Sequence, residues 1–107
     1  MFHLGRKSVL CVSLVLILGF VAGCGQLQGR VYDTRSSLPV SGAQVRLVGT
    51  GFVATTNGSG YYSIDGIPPG SYTVTCSAAG YTLFSYGPIE IPAHVITYLD
   101  FVLVPEL

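Results

Sequence analysis

GYYSIDGIPPGSYTV, residues 60–74, decides the fold. Tyr62 and Ile64 alternate with Tyr61, Ser63 and Asp65, so a strand here carries one apolar face. Asn57-Gly58-Ser59-Gly60 precedes it and Gly66-Ile67-Pro68-Pro69-Gly70 follows. Both are turn chemistry: Gly and Asn accept positive φ at little steric cost, and proline fixes φ while removing a backbone donor. Tyr72, Val74 and Cys76 then share a face opposite Thr73, Thr75 and Ser77. The stretch reads as two short strands with rigid punctuation between them. Gly70 is expected to need a backbone conformation that β-branched residues resist, and Tyr72 and Phe101 are expected to be buried.

The same grammar extends in both directions. Short alternating runs separated by Gly, Pro, Ser and Asn predict strands at 27–33, 43–48, 52–56, 61–65, 71–78, 82–91 and 95–104. No stretch after Cys24 sustains a 3.6-residue apolar period. Seven short strands with frequent turn signals predict an all-β sandwich. There is no internal repeat, low-complexity tract or charge run.

The first residues are of a different kind. Arg6 and Lys7 precede an apolar run from Ser8 to Ala22, which ends in small residues. A basic start, a short apolar stretch and a small-residue end describe a secretory signal peptide, helical in its apolar part. A membrane-spanning helix needs about 20 apolar residues, which this run does not reach. The expected division is therefore a signal peptide at 1–23 and a domain at 24–107. Val21-Ala22-Gly23-Cys24 resembles the bacterial lipobox, whose cysteine accepts a diacylglyceryl group and becomes the first mature residue. The resemblance implies lipidation of Cys24 with acyl chains such as palmitate, and membrane attachment outside the cytoplasm. It does not separate inner from outer membrane.

After Cys24 the chain carries three arginines, at 30, 35 and 46, against five carboxylates, at 33, 65, 90, 100 and 106, a formal charge of −2. The chain's single lysine, Lys7, lies before the expected cleavage point. Without a basic patch, nucleic acid is not expected as a partner. Cys76 is expected to be a buried core residue, since free cysteine packs as a small hydrophobe. His94 follows Pro92-Ala93 in an expected exposed turn. No His, Cys or carboxylate pair has metal-ligand spacing, so neither a metal nor a cofactor is expected. His94 with Asp100 is too extended in sequence to form the base and orienter of a triad. Asp33 and Asp65, both at strand ends, could share one pole of the sandwich, but two carboxylates make a poor calcium site. Enzyme activity is not expected.

Four pieces in order resemble the carboxypeptidase regulatory-like domain. GRVYDTRSSLPVSGAQVRLVGT (29–50) is similar to the family's opening, with Pro-Val-x-Gly-Ala-x-Val. GSGYYSIDGIPPGSYTV (58–74) resembles its central Gly-x-Tyr and Gly-Ile/Leu-x-Pro-Gly-x-Tyr pattern. AAGY (78–81) and LDFVLVP (99–105) resemble later landmarks. The resemblance implies a seven-stranded Greek-key β-sandwich of transthyretin-like (prealbumin-like) topology. One departure stands out: Thr55-Thr56-Asn57-Gly58-Ser59-Gly60 lacks the Asp that family members often carry in this turn. The accompanying zinc peptidase is absent, and with it any ground for proteolysis. Transthyretin-like hydrolases of a purine breakdown product use an early histidine and a C-terminal Tyr-Arg-Gly-Ser, and after Cys24 the chain has neither.

Tyr81, Phe84 and Tyr86 lie within six residues, where even and odd positions are both apolar. They form the expected binding patch, since aromatic side chains concentrate at contact surfaces. The function expected from these features is a non-catalytic, lipid-anchored, extracytoplasmic binding or scaffolding module of the bacterial cell envelope. Its expected partners are the membrane, through Cys24, and an envelope protein or glycan. The alternative is a structural or adhesive module resembling Cna-type B repeats, without their Lys–Asn isopeptide bond because no lysine follows residue 7.

Overall fold

The computed structural model describes residues 23–106, and the expected signal peptide, Gly23 apart, lies outside the described residues. Eight strand segments form there: β1 (Gly25–Asp33), β2 (Gln44–Leu47), β3 (Val53–Thr55), β4 (Tyr61–Ile67), β5 (Gly70–Ser77), β6 (Phe84–Ile91), β7 (Ile96–Tyr98) and β8 (Phe101–Leu103). They make two four-stranded sheets. In one, β1 is central, with β4 antiparallel on one side and both β7 and β8 parallel on the other; the second runs β3-β2-β5-β6. Alternation on β1, β2, β4, β5 and β8 turns one face inward. Leu27 and Val31, Val45 and Leu47, Tyr62 and Ile64, Val74 and Cys76, and Phe101 and Leu103 are all buried between the sheets. The all-β sandwich expected from the sequence is the fold observed.

The expected strand at 95–104 is present in two pieces, and the interruption has a specific chemistry. β7 pairs with Gln26–Gln28 and β8 with Val31–Asp33, in unchanged register. Between them Leu99 turns its carbonyl onto β1, where an ideal Cβ on Gly29 would lie 1.8 Å from that oxygen. Only a residue without a side chain tolerates this approach. The Tyr62 hydroxyl donates to the same carbonyl at 2.6 Å. The Asp100 carboxylate accepts the Arg30 backbone N–H at 2.9 Å, in place of a ladder partner. The break thus leaves the Leu99 N–H, the Leu99 carbonyl and the Arg30 N–H each with a partner, as interior polar groups need.

The opening stretch forms β4, a turn and β5, with two departures from expectation. Gly70 is not in the left-handed region; in this stretch that region is occupied by Gly60 and Gly66, at φ 75° and 71°. An added Cβ on Gly70 would meet the Tyr72 ring at 3.6 Å, an ordinary contact. Tyr72 is half-buried rather than fully buried, because its hydroxyl reaches out to donate to the Pro68 carbonyl at 2.5 Å. Tyr62 is the large aromatic enclosed with Phe101, their ring centroids 6.1 Å apart.

The turn before β4 contains the buried polar residue Thr56. Its hydroxyl accepts from the Ala43 N–H at 2.9 Å and donates to the Val40 carbonyl at 2.6 Å. Asn57 does the work expected of a turn residue, its side-chain oxygen accepting from the Ser59 and Tyr61 N–H groups.

Candidate functional site

β6 is an edge strand, and it positions two of the three expected patch residues. Phe84 pairs with Cys76 and Tyr86 with Val74 across the β5–β6 ladder. Directly opposed residues share a face, so both rings lie on the core side of their sheet. Cys76 and Val74 are covered completely, whereas Phe84 and Tyr86 remain 41% and 48% exposed. The rings overhang because β6 is the last strand and the facing sheet does not reach across it. Phe84 meets Phe101 edge-on with centroids 5.9 Å apart, and stacks against Tyr86 at 6.4 Å and 14°. Further along, a register shift opposite Thr73 accommodates Gly87 and Pro88. Proline on an edge withholds a donor and blunts pairing there.

Tyr81 is drawn elsewhere. It is half-buried beside the core, and its hydroxyl donates to the Asp33 carboxylate at 2.6 Å. It makes no ring contact with Phe84 or Tyr86 among the described residues. The other Asp33 oxygen accepts from the Arg35 and Ser36 N–H groups at 2.7 and 3.1 Å. These bonds, the Tyr81 hydroxyl foremost, hold the Asp33 carboxyl below its usual range. The same bond, aided by desolvation, raises the Tyr81 phenol. Asp33 therefore organises a turn. Asp65 sits toward the other end of the sheet, accepting from the Gln26 side-chain amide. The two carboxylates do not share a pole. Among the described residues, no group of three or more His, Cys, Asp or Glu side chains could hold a metal.

The lipidation candidate, Cys24, stands at the start of β1. Its carbonyl accepts the His94 N–H at 3.0 Å, and Gln26 donates to the Val95 carbonyl at 3.1 Å. His94 is exposed in the turn before β7, as expected. It sits a strand's length from Asp100, whose carboxylate is already engaged by Arg30. Cys76 is fully enclosed, and burial pushes its thiol up to about 11, which removes thiolate at neutral pH.

A second aromatic group escaped the sequence reading. On the outer face of the β1 sheet, Tyr32, Tyr61 and Tyr98 surround Arg30 and Asp100. Alternation in GRVYD places Arg30 and Tyr32 on one face. Their meeting with Tyr61 and Tyr98 depends on strand pairing, which no local pattern encodes.

Comparison with known proteins agrees with this architecture. No curated protein matches the chain. Among solved structures, a chain of a type II cohesin–X-dockerin complex from Acetivibrio cellulolyticus superposes with a TM-score of 0.63 at 23% identity, covering 74% of this chain and 56% of that one. The Bacillus anthracis TIE protein matches at 0.62 and 19%, over 80% of this chain and 17% of that one. The minor pilin of Streptococcus agalactiae matches at 0.61 and 12%, over 82% and 47%. The chain thus spans about half or less of the length of these structures. What they share with it is the sandwich. The family profile for the carboxypeptidase regulatory-like domain matches residues 26–104, nearly the whole described structure, and the chain belongs to that family.

Proposed function

We propose that the mature protein is a non-catalytic module of the cell envelope, held to a membrane through lipid on Cys24 and binding a partner protein along β6. The observation that carries the binding half is the stacked Phe84–Tyr86 pair, left overhanging at an unpaired strand edge. Rigid aromatic anchors supply contact area at low entropic cost, and an open edge offers backbone groups for strand addition. Charge contributes little, with three arginines and five carboxylates after Cys24.

The anchoring half rests on the sequence pattern at Val21–Cys24. Each buried CH₂ contributes about 0.8 kcal/mol, so two or three acyl chains hold firmly where one exchanges. Because Cys24 is hydrogen-bonded to the β6–β7 turn, acylation would seat that pole directly on the bilayer.

Two measurements test the two halves. The native protein should partition into detergent and lack residues 1–23 by mass spectrometry, and Cys24→Ala should accumulate as precursor. A soluble mature protein beginning elsewhere would refute the anchor. For the binding half, chemical cross-linking in cells followed by affinity capture should recover an envelope protein with the wild type. The double change Phe84→Ser and Tyr86→Ser should lose it. Capture repeated without the cross-linker should survive high salt, since screening weakens only exposed ionic contacts. A folded double variant that retains its partner would refute the β6 surface.

A further inference from the structure

The outer face of the β1 sheet carries a shallow cleft of about 340 Å³, lined by Gly29, Arg30, Tyr32, Tyr61, Tyr98 and Asp100. That is near the lower end of the range for ligand sites. We infer that it binds an uncharged glycan, its tyrosines covering the C–H faces of sugar rings and Arg30 and Asp100 bonding the hydroxyls.

Three observations carry this. The first is the way the cleft is built. It lies where the β7–β8 ladder is interrupted, with Gly29 beneath it and the Asp100 carboxylate fixed by the Arg30 N–H. Ladder irregularities recur where a side chain must be re-aimed, and a carboxylate locked before binding loses little freedom on meeting a ligand. The second is the state of the polar groups. Among the described residues, the hydroxyls of Tyr32, Tyr61 and Tyr98 and the guanidinium of Arg30 have no hydrogen-bond partner in the protein. Tyr98 is 71% exposed, far more than burial in a core requires of a tyrosine. Register sets the spacing: Tyr61 lies opposite Arg30 on one side of β1, and Tyr98 opposite Gln28 on the other. The two tyrosines therefore flank β1 two strand spacings apart and two residues out of line, about 12 Å between backbone positions.

The third observation separates a glycan from a peptide. β1 is paired on both sides, so its backbone cannot receive another strand. Recognition at this face falls to side chains alone. Flat rings alternating with fork-shaped donors and acceptors match a polymer whose surface alternates C–H and O–H groups. Arg30 and Asp100 carry opposite charges side by side, which favours an uncharged ligand over an acidic one.

The test uses the full chain in neutral-detergent micelles, applied to an array of uncharged and uronic-acid-bearing oligosaccharides. The strongest uncharged binder is then titrated by tyrosine fluorescence, which no tryptophan obscures. At least one uncharged oligosaccharide should bind, and Tyr98→Ala, Arg30→Ala and Asp100→Asn should each weaken it tenfold or more. Val53→Ala, on β3 of the other sheet, should leave the affinity unchanged. Binding confined to acidic sugars, an affinity insensitive to Tyr98→Ala in a variant with native circular dichroism, or no glycan binding at all would each overturn the inference. So would capture of a protein through this face in place of a glycan. The β6 variants are read in a separate assay, so each proposal can fail without the other.

Discussion

Gly29→Ala should damage this domain more than its one added carbon suggests. The new Cβ would sit 1.8 Å from the Leu99 oxygen and 2.6 Å from the Leu99 carbonyl carbon, and real Cβ contacts essentially never fall below 3.0 Å. Backbone must therefore yield, and the backbone that yields is bonded twice. Moving Leu99 strips the acceptor from the enclosed Tyr62 hydroxyl, and moving Asp100 releases the Arg30 N–H. Leaving a buried donor unsatisfied costs about 1–3 kcal/mol. Overpacking a tight site costs about 1–3 kcal/mol more. For a domain of this size, each kcal/mol shifts Tm by about 4–8 °C. A fall of about 10 °C or more is expected in thermal unfolding followed by circular dichroism. Gly51→Ala is the control, since its Cβ meets nothing within 4 Å and its backbone is not left-handed. A cycle with Tyr62→Phe adds a sharper readout. If the damage runs through the hydroxyl bond, the two changes together should cost less than their sum. Gly29→Ala with a Tm within about 3 °C of wild type, under 1 kcal/mol on that scale, would refute the account of the β7–β8 break.

The remaining predictions concern titration and reactivity. Tyr62 is raised above the ordinary phenol value, by burial first and then by the charges of Cys76 and Asp100. A raised folded-state value stabilises below about pH 10 and is lost as pH rises beyond it, so the protein should unfold in alkali together with Tyr62 ionisation, seen at 295 nm. Asp33 is depressed, chiefly by the Tyr81 hydroxyl, so its contribution is present above the usual carboxylate range and is lost as pH falls through the lowered value. Tyr81→Phe should flatten the acid limb of a Tm-against-pH profile below about pH 4, and an unchanged limb would count against the Asp33–Tyr81 bond. Cys76 should react with a thiol reagent at pH 8 only on unfolding, because it is enclosed and its thiol lies at about 11. Rapid labelling of native protein would place it elsewhere.

Local chemistry made most of the sandwich legible. The alternation of Tyr62 and Ile64, and of Val74 and Cys76, marked inward faces that are inward in the structure. Asn57 and Gly60 marked their turn correctly, whereas Gly70 did not need the backbone expected of it. What escaped depended on partners distant in sequence. Gly29 reads as an ordinary strand glycine until Leu99, 70 residues on, is placed against it. Thr56 reads as turn punctuation, yet it bonds two backbone groups from beyond its own turn. At the expected patch, composition signalled surplus aromatics but not their destinations. Phe84 and Tyr86 overhang because β6 is last in its sheet, while Tyr81 is pulled to Asp33, 48 residues away. The Tyr32–Tyr61–Tyr98 group is spread over three strands and carries no linear signature.

The central place of β1 also has a mechanical meaning. If the chain is held at Cys24, any tug from a bound partner enters the domain along β1. Its hydrogen bonds to β4 on one side and to β7 and β8 on the other lie across that pull. They are then loaded together in shear, and not peeled one at a time from an end. β3 and β6, at the margins of the second sheet, are paired on one side only and would unzip far more readily under the same force. The strand that follows Cys24 is thus the one best able to bear tension, whereas the strand proposed to meet the partner is held along one side only.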